Sequence, residues 1–427
     1  MKNSKKTIWV KGLWHQGLVA AGVWAQRGFR VYAICDSQEE VAKFEKLKLP
    51  IFEPGLDNLI SEQMSKRNLF FSVANDQLPA PDFLCLMHDT AVNDDDEVQL
   101  DYFFGDINSL SKYITPDVEV LVTAQVPAGT CQLVIEMLNN ALNFCPRVSY
   151  MPENLRLGQA ISRFEHPELP VIGISNTKSK LELALLFSNE IEINYCQVIE
   201  AEILKSALNS FLALSITFGN EISEICDRLG ASGSVVMRLL KLENRIGSKL
   251  PILPGLPFSG GTLGRDVQNL RKLSGEGGAV IDAIWSSNLN RKKYFISAVA
   301  KWANDVSELN IGLLGLTYKT GTSTLRRSYA LQTAKGLSDI GYTVFGFDPI
   351  ADQFDEEVPR DIHLCSSLEE IFAKCNVIVL MTPWDSINKD LRACPLIGKM
   401  IIDPYGSLPD ELAKACNYIQ FGGWSNA

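Results

Sequence analysis

Two polar residues stand four positions apart in a long segment that otherwise has the pattern of an apolar helix. They are Lys205 and Asn209, and alanine and leucine residues flank both. Residues at this spacing share one face of a helix. An ammonium group and an amide that face inward need polar partners, which a substrate oxygen and a bound water would supply. The spacing therefore predicts a pair that faces a substrate, or else an incidental polar patch on a solvated edge.

A carboxylate, Glu153, follows Met151-Pro152 at the end of a strand-like segment. Ligands of open α/β sheets bind in the crevice beyond the carboxyl ends of the strands. Glu153 is therefore a candidate site residue, although a carboxylate in a loop is most often simply solvated.

A glycine-containing turn follows the first strand-like segment and opens a helical pattern. It reads Gly12-Leu13-Trp14-His15-Gln16-Gly17. The dinucleotide fingerprint uses three glycines, for the tight turn, for the approach of the pyrophosphate and for helix packing. The first and the last stand here, and Trp14 occupies the middle position. Asp36 lies 24 positions after Gly12, where a carboxylate binds the ribose hydroxyls of NAD. The pattern predicts an NAD site, or a turn of the same shape that no longer takes a cofactor.

Short β-branched runs alternate with helical patterns near both ends of the chain, which is typical of parallel sheets built from βαβ units. Long helical patterns fill the middle. We predict an α/β fold with two Rossmann-like, doubly wound parallel-sheet domains, 1–197 and 306–427, joined by a long-helix central domain, 198–305. The strand-like runs are Thr7–Lys11, Arg30–Cys35, Leu69–Ser72, Phe83–Met87, Val118–Thr123, Val171–Ile174, Asn310–Leu314, Thr343–Phe347, Val377–Met381 and Met400–Ile402.

Composition excludes several classes of partner. Forty basic against fifty acidic residues leave a net charge of -10, which disfavours binding to nucleic acid or to an anionic membrane. No apolar stretch approaches the roughly 20 residues that span a bilayer. Ten cysteines without a CxxC pair, beside four histidines, predict neither a disulfide framework nor a metal site. We therefore expect a cytoplasmic protein.

Several short motifs follow one another over some 400 positions. They are Glu53-Pro54-Gly55, Val126-Pro127-Ala128-Gly129-Thr130, Pro152-Glu153-Asn154-Leu155-Arg156, then Glu202, Lys205 and Asn209, then Arg245-Ile246-Gly247, Phe258-Ser259-Gly260-Gly261 with Asp266, and Gly315-Leu316-Thr317-Tyr318-Lys319 with Arg326. In this order they resemble the UDP-glucose/GDP-mannose dehydrogenase family, whose members oxidise nucleotide sugars.

The resemblance implies a role for each matching residue. Lys205 would stabilise the developing alkoxide, Asn209 would hold the oxyanion, and Glu153 would act with water as acid and base. Asp266 would polarise a neighbouring group, although its position also suits the N-cap of a helix over Val267–Leu273.

Binding roles are implied in the same way. Arg326 joins Gly12, Gly17 and Asp36 on the cofactor side. Phe258, Gly260 and Lys319 belong to the nucleotide-sugar side. Arg245 would reach the substrate diphosphate of a neighbouring subunit, or is an ordinary surface arginine. The long middle helix predicts a homodimer.

The chain departs from the family where the chemistry occurs. The position of the catalytic cysteine falls on Thr262, and no cysteine lies between Cys226 and Cys365. A thiolate traps the aldehyde so that a second hydride can leave, and a threonine hydroxyl is a far weaker nucleophile. Other family residues are replaced by Gln125, Leu157, Arg265 and Tyr405.

Three interpretations follow. The first is an NAD-dependent oxidoreductase for the CH–OH group of a nucleotide sugar, similar to UDP-glucose 6-dehydrogenase, which serves polysaccharide precursor synthesis with altered chemistry at the cysteine position. The second is a non-catalytic paralogue that binds a nucleotide sugar. The third is a hydroxyacid-type dehydrogenase with another anionic substrate.

Overall fold

The computed structural model describes residues 5–93, 97–153, 155–259, 261–354 and 357–421. The chain forms two compact units, Met1–Ala207 and Leu208–Ala427. Each unit contains one sheet with helices on both of its faces.

The sheet of the first unit has eight strands. All neighbouring strands are parallel except the sixth and seventh, which are antiparallel. The order across the sheet is β3-β2-β1-β4-β5-β6-β7-β8, so the chain reverses direction across the sheet between β1 and β4. The strands are β1 Thr7–Lys11, β2 Arg30–Cys35, β3 Leu69–Val73, β4 Phe83–Leu86, β5 Glu119–Val122, β6 Arg147–Tyr150, β7 Val171–Ile174 and β8 Asn194–Cys196.

Successive residues of β1 enter different cores. Ile8 and Val10 pack with Trp24 on one face, whereas Trp9 packs with Phe103 on the other. Side chains of a strand alternate between its two faces, so the central residues of a strand covered by helices on both sides are apolar. The helices of this unit are α1 His15–Gln26, α2 Gln38–Glu45, α3 Leu56–Ser65, α4 Asp101–Leu110, α5 Thr130–Ala141, α6 Ala160–Glu165 and α7 Ser179–Ala184.

Four helices follow before the second sheet. The first, α8, spans 31 residues and begins in the first unit. They are α8 Val198–Arg228, α9 Gly233–Leu240, α10 Leu263–Ser274 and α11 Ala279–Asp305.

The second sheet has six parallel strands in the order β11-β10-β9-β12-β13-β14. Its direction also reverses beside the first strand, here between β9 and β12. The strands are β9 Asn310–Leu314, β10 Thr343–Phe347, β11 His363–Leu364, β12 Val377–Leu380, β13 Met400–Asp403 and β14 Asn417–Gln420, and the helices are α12 Tyr329–Asp339, α13 Leu368–Lys374, α14 Asp385–Asp390 and α15 Asp410–Ala413.

The predicted fold class is confirmed, with two parallel-sheet domains and a long middle helix. Three short strands, β8, β11 and β14, were not predicted, and β6 was predicted only as the strand-like segment before Glu153, without its bounds. The predicted helix over Val267–Leu273 is wrong at its start, because α10 begins four residues earlier at Leu263. No helix of the described part of the chain is long and apolar enough to cross a membrane.

Candidate active site

The glycine turn after β1 packs tightly against the backbone that follows β4. Gly12 has φ +93°, and a Cβ at this position would lie 2.6 Å from the backbone nitrogen of His88. A Cβ on Gly17 would overlap the carbonyl oxygen of Gly12. Both retained glycines are therefore required for the turn itself.

Trp14 is the N-cap residue of α1, and its side chain is 43% exposed. The side chain of Trp14 does not cap this helix. The first-turn N–H groups and the helix dipole are thus open to an anion. An exposed indole leaves the turn intact, so the residues present fit a bound NAD.

Asp36 follows β2 directly. Its carboxylate accepts from the Lys11 ammonium group at Oδ1 and from the Tyr102 hydroxyl at Oδ2. Burial acts to raise the pKa of Asp36, but these two hydrogen bonds outweigh it, so the pKa lies below its ordinary value. The side chain is 53% exposed and remains open to a ligand.

Glu153, Gln125 and Lys205 lie together in the first unit. The Gln125 amide donates to Glu153 Oε2 over 3.3 Å, and the backbone N–H of Leu155 donates to Oε1. Lys205, buried on α8, donates to the backbone carbonyl of Glu153. Gln125 thus orients the carboxylate of Glu153, the candidate base, and Lys205 holds the backbone of the same residue.

The inward orientation of Lys205 depends on the E-x-x-K motif. Glu202, one turn earlier on α8, accepts from the backbone N–H groups of Gly129 at 2.7 Å and Cys131 at 2.8 Å. Its carboxylate therefore caps the N-terminus of α5. This contact fixes the rotation of α8 in the first unit. Sequence reasoning named Glu202 only as a motif residue and missed this function.

In the second unit, Asn209 donates its side-chain N–H to Asp266 Oδ2, and both residues are buried. Asp266 lies inside the first turn of α10 and is not its N-cap, so that alternative is wrong. Arg265 Nε is 3.9 Å from Asp266 Oδ1. The aspartate thus orients the Asn209 amide, and it is flanked by Arg265, which is predicted to stand in place of a lysine of the family.

Thr262 is the N-cap residue of α10, and it is exposed. Its side chain does not accept from the first-turn N–H groups. The hydroxyl at the position predicted for the family's cysteine is therefore accessible at a helix N-terminus.

The remaining candidates lie in the second unit and are not brought together. Phe258 is buried against Val267 and Ile284. Gly260 lies outside the described residues. Arg245 is largely exposed and pairs over 3.0 Å with Glu243, which fits a surface arginine.

Lys319 and Arg326 both lie in the segment between β9 and α12. The Lys319 ammonium group lies 5.5 Å from the centre of the Tyr318 ring, and Arg326 is exposed. Their predicted binding roles stay predictions.

Comparison with known proteins matches three domain models of one family to this chain. The models describe the NAD binding domain, the central domain and the UDP binding domain of the UDP-glucose/GDP-mannose dehydrogenase family, and they match residues 6–191, 199–290 and 312–407.

The relatives are distant but cover nearly the whole chain. A UDP-glucose 6-dehydrogenase of Rickettsia bellii is 28% identical over 88% of this chain and 89% of its own. The UDP-glucose 6-dehydrogenase TuaD of Bacillus subtilis is 29% identical over 97% of this chain and 92% of its own. Among solved structures, a UDP-glucose dehydrogenase from Pyrobaculum islandicum superposes with a TM-score of 0.87 at 23% identity, over 99% of both chains.

Proposed function

Because the chain belongs to the UDP-glucose/GDP-mannose dehydrogenase family, we propose that it oxidises the CH–OH group of a UDP-linked sugar with NAD+. The nicotinamide cofactor and the nucleotide-sugar class follow from the family. The observation that carries the proposal is the buried Lys205 ammonium group, held beside Glu153 at the carboxyl edge of the first sheet.

We assign a separate role in the reaction to each residue of the site. NAD+, when bound, supplies the hydride acceptor. Lys205 stabilises the alkoxide that forms as the sugar hydroxyl loses its proton, because a buried cation acts strongly where water is excluded. Glu153 accepts the proton, and Gln125 orients its carboxylate. In the second unit, Asp266 orients the amide of Asn209, and the oxyanion role that the family implies for Asn209 stays a prediction.

We propose that the reaction stops after one hydride transfer. The exposed Thr262 hydroxyl cannot form the thiohemiacetal that carries the aldehyde to a second oxidation. Cys85 and Cys131 are fully buried, and burial raises the pKa of both thiols well above its ordinary value. These thiols therefore do not provide a substitute thiolate.

The number of NADH molecules formed per sugar tests both the oxidation of a UDP-linked sugar and the stop after one hydride transfer. Purified protein is supplied with NAD+ and a panel of UDP-linked sugars, while absorbance at 340 nm and mass spectrometry count NADH and identify the product. We expect about one NADH per sugar and an aldehyde or its hydrate. Two NADH with a carboxylate product would contradict the single step, and no turnover with any sugar would favour the non-catalytic paralogue.

A substitution that restores the sulfur sharpens this test. Thr262→Cys places a thiol at the N-terminus of α10, where the helix dipole favours the thiolate. We expect it to raise the NADH yield towards two per sugar, whereas the matched variant Thr262→Ser leaves the yield unchanged.

We propose that two copies pair along α8. In the second unit this helix exposes Phe211, Phe218 and Ile225, which stand at intervals of seven residues. A seam with this period packs against an identical helix. We expect Phe218→Glu to give a monomer in light scattering, while Leu181→Glu, at an exposed leucine of α7, leaves the mass unchanged. A monomeric wild-type protein would contradict the pairing.

The finer assignments belong to the same proposal. All ten cysteines are free thiols, which supports a reducing, cytoplasmic location. The three-domain division at 197 and 305 and a role in surface-glycan precursor synthesis fit the function and stay predictions.

A further inference from the structure

Two side chains of opposite charge share the place where the cofactor's adenosine ribose is expected. Lys11 is the last residue of β1, and Asp36 follows β2, so both lie at the carboxyl edge of the first sheet beside its switch point. The Lys11 ammonium group pairs directly with Asp36 Oδ1. A charged residue at the end of an otherwise apolar buried strand is unusual, because burial of an ammonium group is unfavourable unless it is paired.

The Lys11 ammonium group is held between two carboxylates. Its side chain is 7% exposed, and Oδ1 of Asp106, on α4, lies 3.6 Å from the ammonium nitrogen. The other oxygen of Asp106 is 2.7 Å from His88 Nε2. The carboxylates of Asp36 and Asp106 therefore hold the lysine in place, and His88 in turn holds Asp106.

Tyr102 completes the arrangement from α4. Its hydroxyl donates to Asp36 Oδ2, and burial together with this bond raises the pKa of Tyr102, so the hydroxyl stays protonated. Each oxygen of Asp36 thus has a partner that holds it in one orientation. Carboxylate oxygens accept more than one hydrogen bond, so both can still receive ribose hydroxyls.

The charge of the site follows from these contacts. A lone aspartate at this position rejects a 2′-phosphate by repulsion. Here the ammonium group offsets the charge of Asp36 directly, and the carboxylate of Asp106 keeps the cluster negative. We infer that Lys11 is a specificity-determining residue, which weakens the discrimination of Asp36 against a 2′-phosphorylated cofactor. This inference rests on the proposed function in assuming that NAD binds to the turn at Gly12.

The measurable quantity is the ratio of two dissociation constants, NADPH over NADH. Titration of purified wild-type protein and variants is followed by cofactor fluorescence, without substrate. Wild-type protein favours NADH. Lys11→Met removes the compensating cation and raises the ratio by about tenfold or more, as expected for a unit charge within a few ångströms of the phosphate. Asp36→Asn leaves the cation and lowers the ratio by a similar factor.

The double variant Lys11→Met/Asp36→Asn removes both charges and returns the ratio to within about threefold of wild type. Tyr102→Phe is the matched control, because it loosens the carboxylate without changing charge, and it weakens both cofactors equally. Thermal melts verify folding, and Lys11→Gln replaces Lys11→Met should that variant not fold.

Failure of the inference on Lys11 and failure of the proposed function give different results. Binding of both cofactors with a ratio that Lys11→Met leaves unchanged would overturn the inference and spare the proposed function, since Lys11 would then only hold Asp36 in place. Wild-type protein that binds neither cofactor would overturn both.

Discussion

The two sheets place an aspartate at the same topological position and use it in opposite ways. Asp36 follows the second strand of the first sheet, is half exposed, and is paired with the side chains of Lys11 and Tyr102. Asp348 follows β10, the corresponding strand of the second sheet, and is buried. It accepts from the backbone N–H groups of Leu316 at 2.7 Å and Thr317 at 3.1 Å. One carboxylate is open to a ligand, and the other holds its own turn together.

The turns that follow the first strand of each sheet also differ in what they offer to a ligand. Gly12 and Gly315 both have positive φ, and a Cβ on Gly315 would lie 2.5 Å from Thr382. The first turn leads at once into α1, so a helix N-terminus faces the crevice. The second runs from residue 315 to 328 before α12 begins and carries Lys319 and Arg326.

Two sheets of the same topology can therefore offer different kinds of positive charge to a bound phosphate group. A short turn offers backbone N–H groups and a helix dipole to a diphosphate, whereas a long turn offers side-chain cations. The first unit matches an NAD binding domain and the second contains the UDP binding match, in keeping with this division.

The largest effect is expected at Lys205, a residue of the first unit to which we assign a role in the chemistry. Lys205→Ala should lower kcat about 100- to 1,000-fold, because one electrostatic donor to the reacting oxygen is lost. Steady-state kinetics and a melting curve measure it, with the surface variant Lys66→Ala as control. Unchanged turnover with a much lower melting temperature would assign Lys205 to structure.

The two aspartates should differ in stability. Asp348→Ala leaves two buried backbone N–H groups without an acceptor and should lower the free energy of unfolding by about 3 kcal/mol. Asp36→Ala should lower it by about 1 kcal/mol, because its side chain is half solvated and Lys11 keeps Asp106 nearby. Urea titration measures both, and equal losses would show that the two carboxylates serve one purpose.

The smallest effect concerns the long turn. Lys319→Ala should raise KM for the nucleotide sugar about tenfold with little change in kcat, since a phosphate contact contributes to binding and transition state alike. Lys335→Ala, an exposed lysine of α12 paired with Asp339, is the matched control. A fall in kcat at constant KM would place Lys319 in the chemistry and end the division between the two regions.

Local pattern was enough to predict the buried strands and the shared face of Lys205 and Asn209. Strands β1, β2 and β7 have the predicted bounds because their apolar runs are continuous and end at polar or glycine residues. Strand β8 was missed, since three residues carry too little pattern to separate a strand from a loop. The early start of α10 was missed because Asp266 has the residue type of an N-cap, although it lies inside the first turn.

The sequence by itself thus determined the two Rossmann-like sheets and the family, because periodicity and motif order are local properties of the chain. Only the tertiary structure decided what the site residues contact. The pairing of Lys11 with Asp36, Tyr102 with Asp36 and Glu202 with the N-terminus of α5 joins residues 25, 66 and about 71 to 73 positions apart. Such contacts exist only once parallel strands bring their carboxyl ends to one edge, where burial makes each charge depend on its partner.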